Sequence, residues 1–107
     1  MQLYNWKDIA QKEMAPGIRL QAVHGEHMSL AHWNFEPDAD LPEHSHPHEQ
    51  IAILQEGRFV LTVGGESREL SPGDVVVIPP HVPHSGRSIT AARVIDVFSP
   101  VREDMRD

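Results

Sequence analysis

With 107 residues, 39% of them apolar and 23% charged, the chain has the make-up of one globular domain rather than of a disordered or two-domain protein. A formal net charge of -7 with no Lys/Arg cluster leaves no electrostatic footprint for nucleic acid or an anionic membrane. The absence of cysteine excludes disulfides, thiolate nucleophiles and thiolate-bound zinc, so any metal must be held by nitrogen and oxygen.

The opening stretch "MQLYNWKDIAQ" carries neither a basic nor an apolar leader segment, and no apolar run approaches the ~18 residues of a membrane span; the cytoplasm is the expected compartment. Residues 5–13, "NWKDIAQKE", predict a short N-terminal helical turn with Asn5 as its cap and Trp6, Ile9 and Ala10 on one side. Beyond it, short apolar runs alternate with Gly, Pro, Asp and Ser: "GIRLQAV", "MSLAHWNF", "QIAIL", "RFVLTV", "DVVVIP" and "ARVIDVF". Such spacing predicts an all-β sandwich or barrel. Gly64 and Gly65 suit a type I′ hairpin turn, and "SPGD" at Ser71 to Asp74 has the order of a type II turn. The charged tail "REDMRD" is expected to fray, its first Arg excepted.

Two runs are apolar on both faces. In "QIAILQ", Gln50, Ala52 and Leu54 share one side and Ile51 and Ile53 the other, and "VVVI" at Val75 to Ile78 behaves likewise. Both sides then need cover, one from a second sheet and the other from the N-terminal segment or another subunit. A homodimer is expected.

Five of the eight histidines fall between residues 44 and 84. In an extended "EHSHPHEQ", His44, His46, His48 and Gln50 project to one face, and His84 follows a strand that could lie beside them. Imidazoles with a side-chain amide oxygen suit a divalent first-row metal; the plainer alternative is an exposed polar loop. His24, His27 and His32 read as surface or hydrogen-bonded histidines, and Trp33 and Phe35, on one face of "HWNFE", as core.

The segment His44 to Gly57 resembles the first cupin motif, and "GDVVVIPPHVPH", Gly73 to His84, resembles the second. The similarity spans roughly Pro37 to Pro100. It implies a cupin-type jelly-roll β-barrel, a double-stranded β-helix, over the whole of 1–107: a core of about 17–100, an N-terminal arm 1–16 and a C-terminal tail 101–107. It also implies His44, His46, Gln50 and His84 as ligands of one divalent ion per chain, whether Ni, Zn, Mn or Fe. Two positions depart from the family. Gln50 replaces the usual acid while Glu49 points to the opposite face, and His81 stands where a glycine is usual, at a backbone position that favours φ > 0. His48 is expected behind or beside the ligands, since Pro47 bends the chain, and His81 at the mouth or surface.

In "VIDVFSPVRED", Asp96 is a lone carboxylate in an apolar strand, on the side shared by Val94 and Phe98. It is either an ion-pair partner of Arg93 or Arg102 or a group with chemistry to do. This ending, together with "HSHPHEQ", resembles the small cupins of pectin and alginate breakdown that convert 4,5-unsaturated uronates into linear keto acids. That likeness implies an isomerase-type enzyme acting on a small anionic sugar. Asp96 would shuttle a proton to C4, Arg102 would hold carboxylate or hydroxyl oxygens, and Phe98 would wall the sugar ring. Two rivals use the same fold: an Fe(II)-dependent dioxygenase, marked by oxygen consumption, and a non-catalytic sugar- or effector-binding cupin.

Overall fold

The computed structural model describes residues 1–106. Its ten strands are β1 (Lys12–Ala15), β2 (Ile18–His24), β3 (Ser29–Phe35), β4 (Asp40–His44), β5 (Glu49–Glu56), β6 (Phe59–Val63), β7 (Glu66–Leu70), β8 (Val75–Ile78), β9 (His84–Ser88) and β10 (Ala92–Ser99). They form a six-stranded sheet in the order β1-β2-β3-β10-β5-β8 and a four-stranded sheet in the order β4-β9-β6-β7. All pairings are antiparallel. The late strands β9 and β10 lie between early ones, which wraps the chain into the jelly roll that the cupin resemblance implies.

Alternation along the strands sends Ile18, Leu20, Trp33, Phe35, Leu54, Phe59, Leu61 and Val94 into one core between the sheets. Phe35 of one sheet meets Phe59 of the other edge to face, with centroids 4.9 Å apart. Such a contact adds about 0.5–1.5 kcal/mol to the area that the rings bury. The glycine turns form as predicted: Gly64 and Gly65 stand at φ 55° and 83° between β6 and β7. Gly73 stands at φ 94° in the second turn, where the Asp74 N–H donates to the Ser71 carbonyl at 3.0 Å.

Four strands fall outside the six apolar runs. β1 and β7 are edge strands with mostly exposed side chains, and β4 is an edge strand that accommodates Pro42. β9 lies between β4 and β6, but its inward residues are His84, Gly86 and Ser88, so it shows no apolar alternation. Gly86 is required there, because a Cβ would collide with the Phe59 ring.

At the N-terminus the helical stretch is shorter than expected. Only Trp6–Asp8 forms a 3-10 turn, capped by Asn5 Oδ1, which accepts from the Lys7 N–H at 3.0 Å; the chain is extended again from Lys12. Gln21 straps this turn across the sheet. Its Nε2 donates to the carbonyls of Trp6 (2.7 Å) and Ile9 (2.6 Å), and its Oε1 lies 2.9 Å from His32 Nδ1. The Trp6 ring covers His32 at 5.0 Å. The tail also departs from expectation: instead of fraying after Arg102 it makes a second 3-10 turn, Glu103–Met105, anchored by buried Val101, Arg102 and Met105.

Elsewhere the outward face of the large sheet stays open. Ile51 pairs with Val77 and Ile53 with Val75 across β5 and β8, and Val75 and Val77 remain 58% and 57% exposed. Among the described residues no helix is long and apolar enough to cross a membrane.

Candidate metal centre and active site

β4 ends at His44 and β9 begins at His84, and the register of the four-stranded sheet sets these two residues opposite each other. Their ring centroids are 4.2 Å apart, and His46, on the turn after β4, stands 4.9 Å from His84. One ring nitrogen from each of the three histidines lies within 4.8 Å of the others. From the opposing sheet, Gln50 of β5 brings its Oε1 to 3.0 Å from His46 Nε2. All four residues implied as ligands therefore converge.

Each imidazole is aimed by its own neighbourhood. His44 Nδ1 faces the Pro42 carbonyl at 2.8 Å, His46 Nδ1 that of His48 at 3.0 Å, and His84 Nδ1 that of Val82 at 2.9 Å. A carbonyl can only accept, so an Nδ1 that donates to one leaves Nε2 with a lone pair for a metal; at His46 the Gln50 Oε1 beside Nε2 competes for the same single proton. Burial, with help from the Arg102 charge and His84, pulls His46 down to about 4, and burial also lowers His84. Both rings are thereby kept in the neutral form that binds metal. His84 Nε2 is buried without a hydrogen-bond partner, an orphan that a cation among the three rings satisfies. The donor set of three imidazoles and one amide oxygen fits a divalent first-row ion.

Beside this cluster lies a cavity of about 360 Å³, lined by Trp33, Phe35, His44, Gln50, Asp96 and Arg102 among others. Phe98 is the cross-strand partner of Gln50, and Asp96 that of Ala52, so both β10 side chains point inward. Burial pushes the Asp96 carboxyl up to about 7, against the Gln50 amide, the Trp33 indole and the Arg102 charge, which favour the carboxylate. Asp96 Oδ1 has no hydrogen-bond partner. Among the described residues neither arginine makes a salt bridge to Asp96. Arg93 pairs with Glu56 at 3.0 Å, and Arg102 binds Asp104 through Nε (2.9 Å) and Nη2 (2.7 Å). The Arg102 guanidinium also lies 4.5 Å over the Phe98 ring, and its backbone N–H donates to Ser29 Oγ at 2.9 Å.

The remaining polar candidates stand apart from the cluster. Past Pro47, His48 turns its Nε2 to the Val101 carbonyl at 3.1 Å, and it meets His46 through its own carbonyl and an edge-on ring contact with centroids 5.4 Å apart. Glu49 is exposed on the outward side. His81 adopts φ 67°, the glycine-like conformation, and its backbone N–H donates to the His46 carbonyl at 2.8 Å. His24 bonds Ser29, His27 is exposed and His32 bonds Gln21. Sequence reasoning missed three contributors. Trp33 reads as core and is buried, yet it lines the same cavity as Asp96; Ser29 fixes the Arg102 backbone; Asp104 occupies the Arg102 fork. Only for Trp33 was there a signal, since it shares the inward parity of β3 with the core.

Residues 31–98 match the Cupin domain family. The pectin degradation protein KdgF of Dickeya dadantii is 30% identical over 96 residues, 87% of each chain. The structure of KdgF from Halomonas sp. superposes with a TM-score of 0.93 at 31% identity, over 99% of both chains. An RmlC-like cupin from Shewanella frigidimarina gives 0.94 at 28% identity, over 99% of this chain and 96% of that one. The matched segment holds both histidine motifs and the inward face of β10, and it spans more than half of the sequence; this chain belongs to the cupin family.

Proposed function

We propose that the protein is a metal-dependent enzyme that converts 4,5-unsaturated uronate monosaccharides into linear 5-keto-4-deoxyuronate in pectin or alginate breakdown. The observation that carries this reading is Asp96: a buried carboxyl facing the cavity with its Oδ1 unbonded, one strand from Gln50 and the histidine cluster. Similarity to two KdgF proteins, one of them described as a pectin degradation protein, supports the choice of substrate.

The conversion is an isomerisation. The C1–O5 bond of the hemiacetal breaks, C1 becomes a carbonyl as its hydroxyl passes its proton to O5, and the enol left at C4–C5 becomes the C5 ketone by giving up its O–H proton and gaining one at C4. A divalent ion held by His44, His46, Gln50 and His84 would supply a Lewis acid for charge developing on a substrate oxygen. Asp96 moves the proton at C4, and a carboxyl that burial brings to about 7 can both give and take one near neutrality. Arg102 offers the planar fork that suits a uronate carboxylate, and Phe98 holds both that cation and the sugar ring in place. The apolar walls, including Trp33 and Phe35, keep competing water away from the enol.

We further propose that the whole chain works as a homodimer in the cytoplasm, with one ion per chain. The open Ile51, Val75 and Val77 face supports the dimer, since the N-terminal turn covers only the Gln21–His32 part of that sheet. The decisive assay mixes purified protein with a 4,5-unsaturated monouronate and follows the ultraviolet absorbance of the C4=C5 bond. Loss no faster than the spontaneous rate would sink the reading. Oxygen uptake with bound iron would point to the dioxygenase instead.

A further inference from the structure

The ion pair between Arg102 and Asp104 is lopsided. The arginine side chain is 10% exposed, stacks on Phe98 and leaves a backbone whose N–H is tied to Ser29, whereas the Asp104 side chain is 62% exposed. Both oxygens of Asp104 engage Arg102, one on Nε and one on Nη2. The fork that the proposed reaction needs for a uronate is thus already filled by a carboxylate with the same planar, two-oxygen geometry.

We propose that Asp104 is an internal substitute for the substrate's carboxylate, neutralising Arg102 in the empty cavity and yielding its place when a uronate binds. This rests on the uronate reading above. A guanidinium buried this deeply is costly without a partner, so the empty protein must supply one. The asymmetry decides which partner moves. Arg102 is fixed by Phe98 and Ser29, while Asp104 is already largely in water and loses little hydration on leaving or returning. The exchange also discriminates: a neutral sugar brings no charge with which to displace Asp104, so anions enter and neutral hexoses do not.

Calorimetric titration of the metal-loaded protein with galacturonate, which has no C4=C5 bond to react, tests the exchange, with galactose as the neutral control. Asp104→Asn should bind galacturonate about fivefold more tightly, roughly the worth of an exposed ion pair. Asp104→Glu, which keeps the competing charge, should stay near the wild-type affinity, and galactose should bind neither variant better. With unsaturated uronate, KM should fall more than kcat in Asp104→Asn. Equal or weaker galacturonate binding by Asp104→Asn, or no binding to either protein, overturns the exchange and leaves Asp104 a brace for Arg102. Turnover by the wild-type protein separately decides the ketonisation reading. Tighter galacturonate binding by Asp104→Asn in a protein that ketonises nothing would keep the exchange and remove that reading.

Discussion

His46 Nε2 and Gln50 Oε1 stand 3.0 Å apart, so that a neutral His46 ring has one proton for two oxygens, the His48 carbonyl at Nδ1 and Gln50 Oε1 at Nε2. When the proton stays on Nδ1, Nε2 and Oε1 face each other as two acceptors. Two acceptors at that distance repel unless a cation draws both. Elemental analysis should therefore find one divalent ion per chain, and His46→Ala or His84→Ala should each lose it. Full occupancy in both variants would contradict the ligand assignment.

Asp96→Asn keeps the size of the side chain but cannot carry the proton. Turnover of unsaturated uronate should fall by about 10²–10⁴-fold, the usual worth of a general acid or base. Metal content should be unchanged. Melting should hold or rise, because Asn removes a carboxylate that burial disfavours. Near wild-type turnover in a less stable variant would show that Asp96 is structural.

His32 gives stability a pH dependence of known sign. Burial, and then the nearby Arg93 charge, hold its pKa below the ordinary 6.5. Above 6.5 the ring is neutral in folded and unfolded chains, and its contribution is complete. As the pH falls below 6.5 the unfolded chain protonates first, and the contribution is lost through the lower folded pKa. The melting temperature should fall from pH 7 to pH 5 more steeply in the wild type than in His32→Gln, which cannot titrate. Parallel slopes would remove His32 as the cause.

Val77 lies on the open face of β8, opposite Ile51 and away from the cavity. Light scattering should report a dimer for the wild type, and Val77→Glu, which sets a charge in that face, should shift the mass towards a monomer while retaining metal. A wild-type protein that is monomeric at working concentration argues against this interface.

What the sequence revealed follows from what each position has to do. The inward parity of Gln50, Asp96 and Phe98 was legible because a strand alternates strictly and Asp96 breaks an otherwise apolar run. His48 shows where the rule stops: it shares that parity, but Pro47 turns the chain and sends the ring to Val101. β9 stayed hidden because His84, Gly86 and Ser88 serve the site and the Phe59 ring instead of filling a core. Asp104 was unreadable for a different reason. Nothing in "REDMRD" distinguishes a carboxylate on a buried arginine from one in solvent until the turn beneath it is folded.

The carbonyls that face the three Nδ1 atoms belong to residues only two positions away: Pro42 for His44, His48 for His46 and Val82 for His84. The lone pairs are thus aimed by short lengths of backbone, without help from the ion they would bind. A chelator should strip the protein to a folded, empty barrel whose circular dichroism matches that of the loaded form, and added metal should return without a refolding step. The ion that such a barrel carries is then open to exchange throughout the life of the molecule, and follows the supply around it as much as the conditions under which the chain first folded.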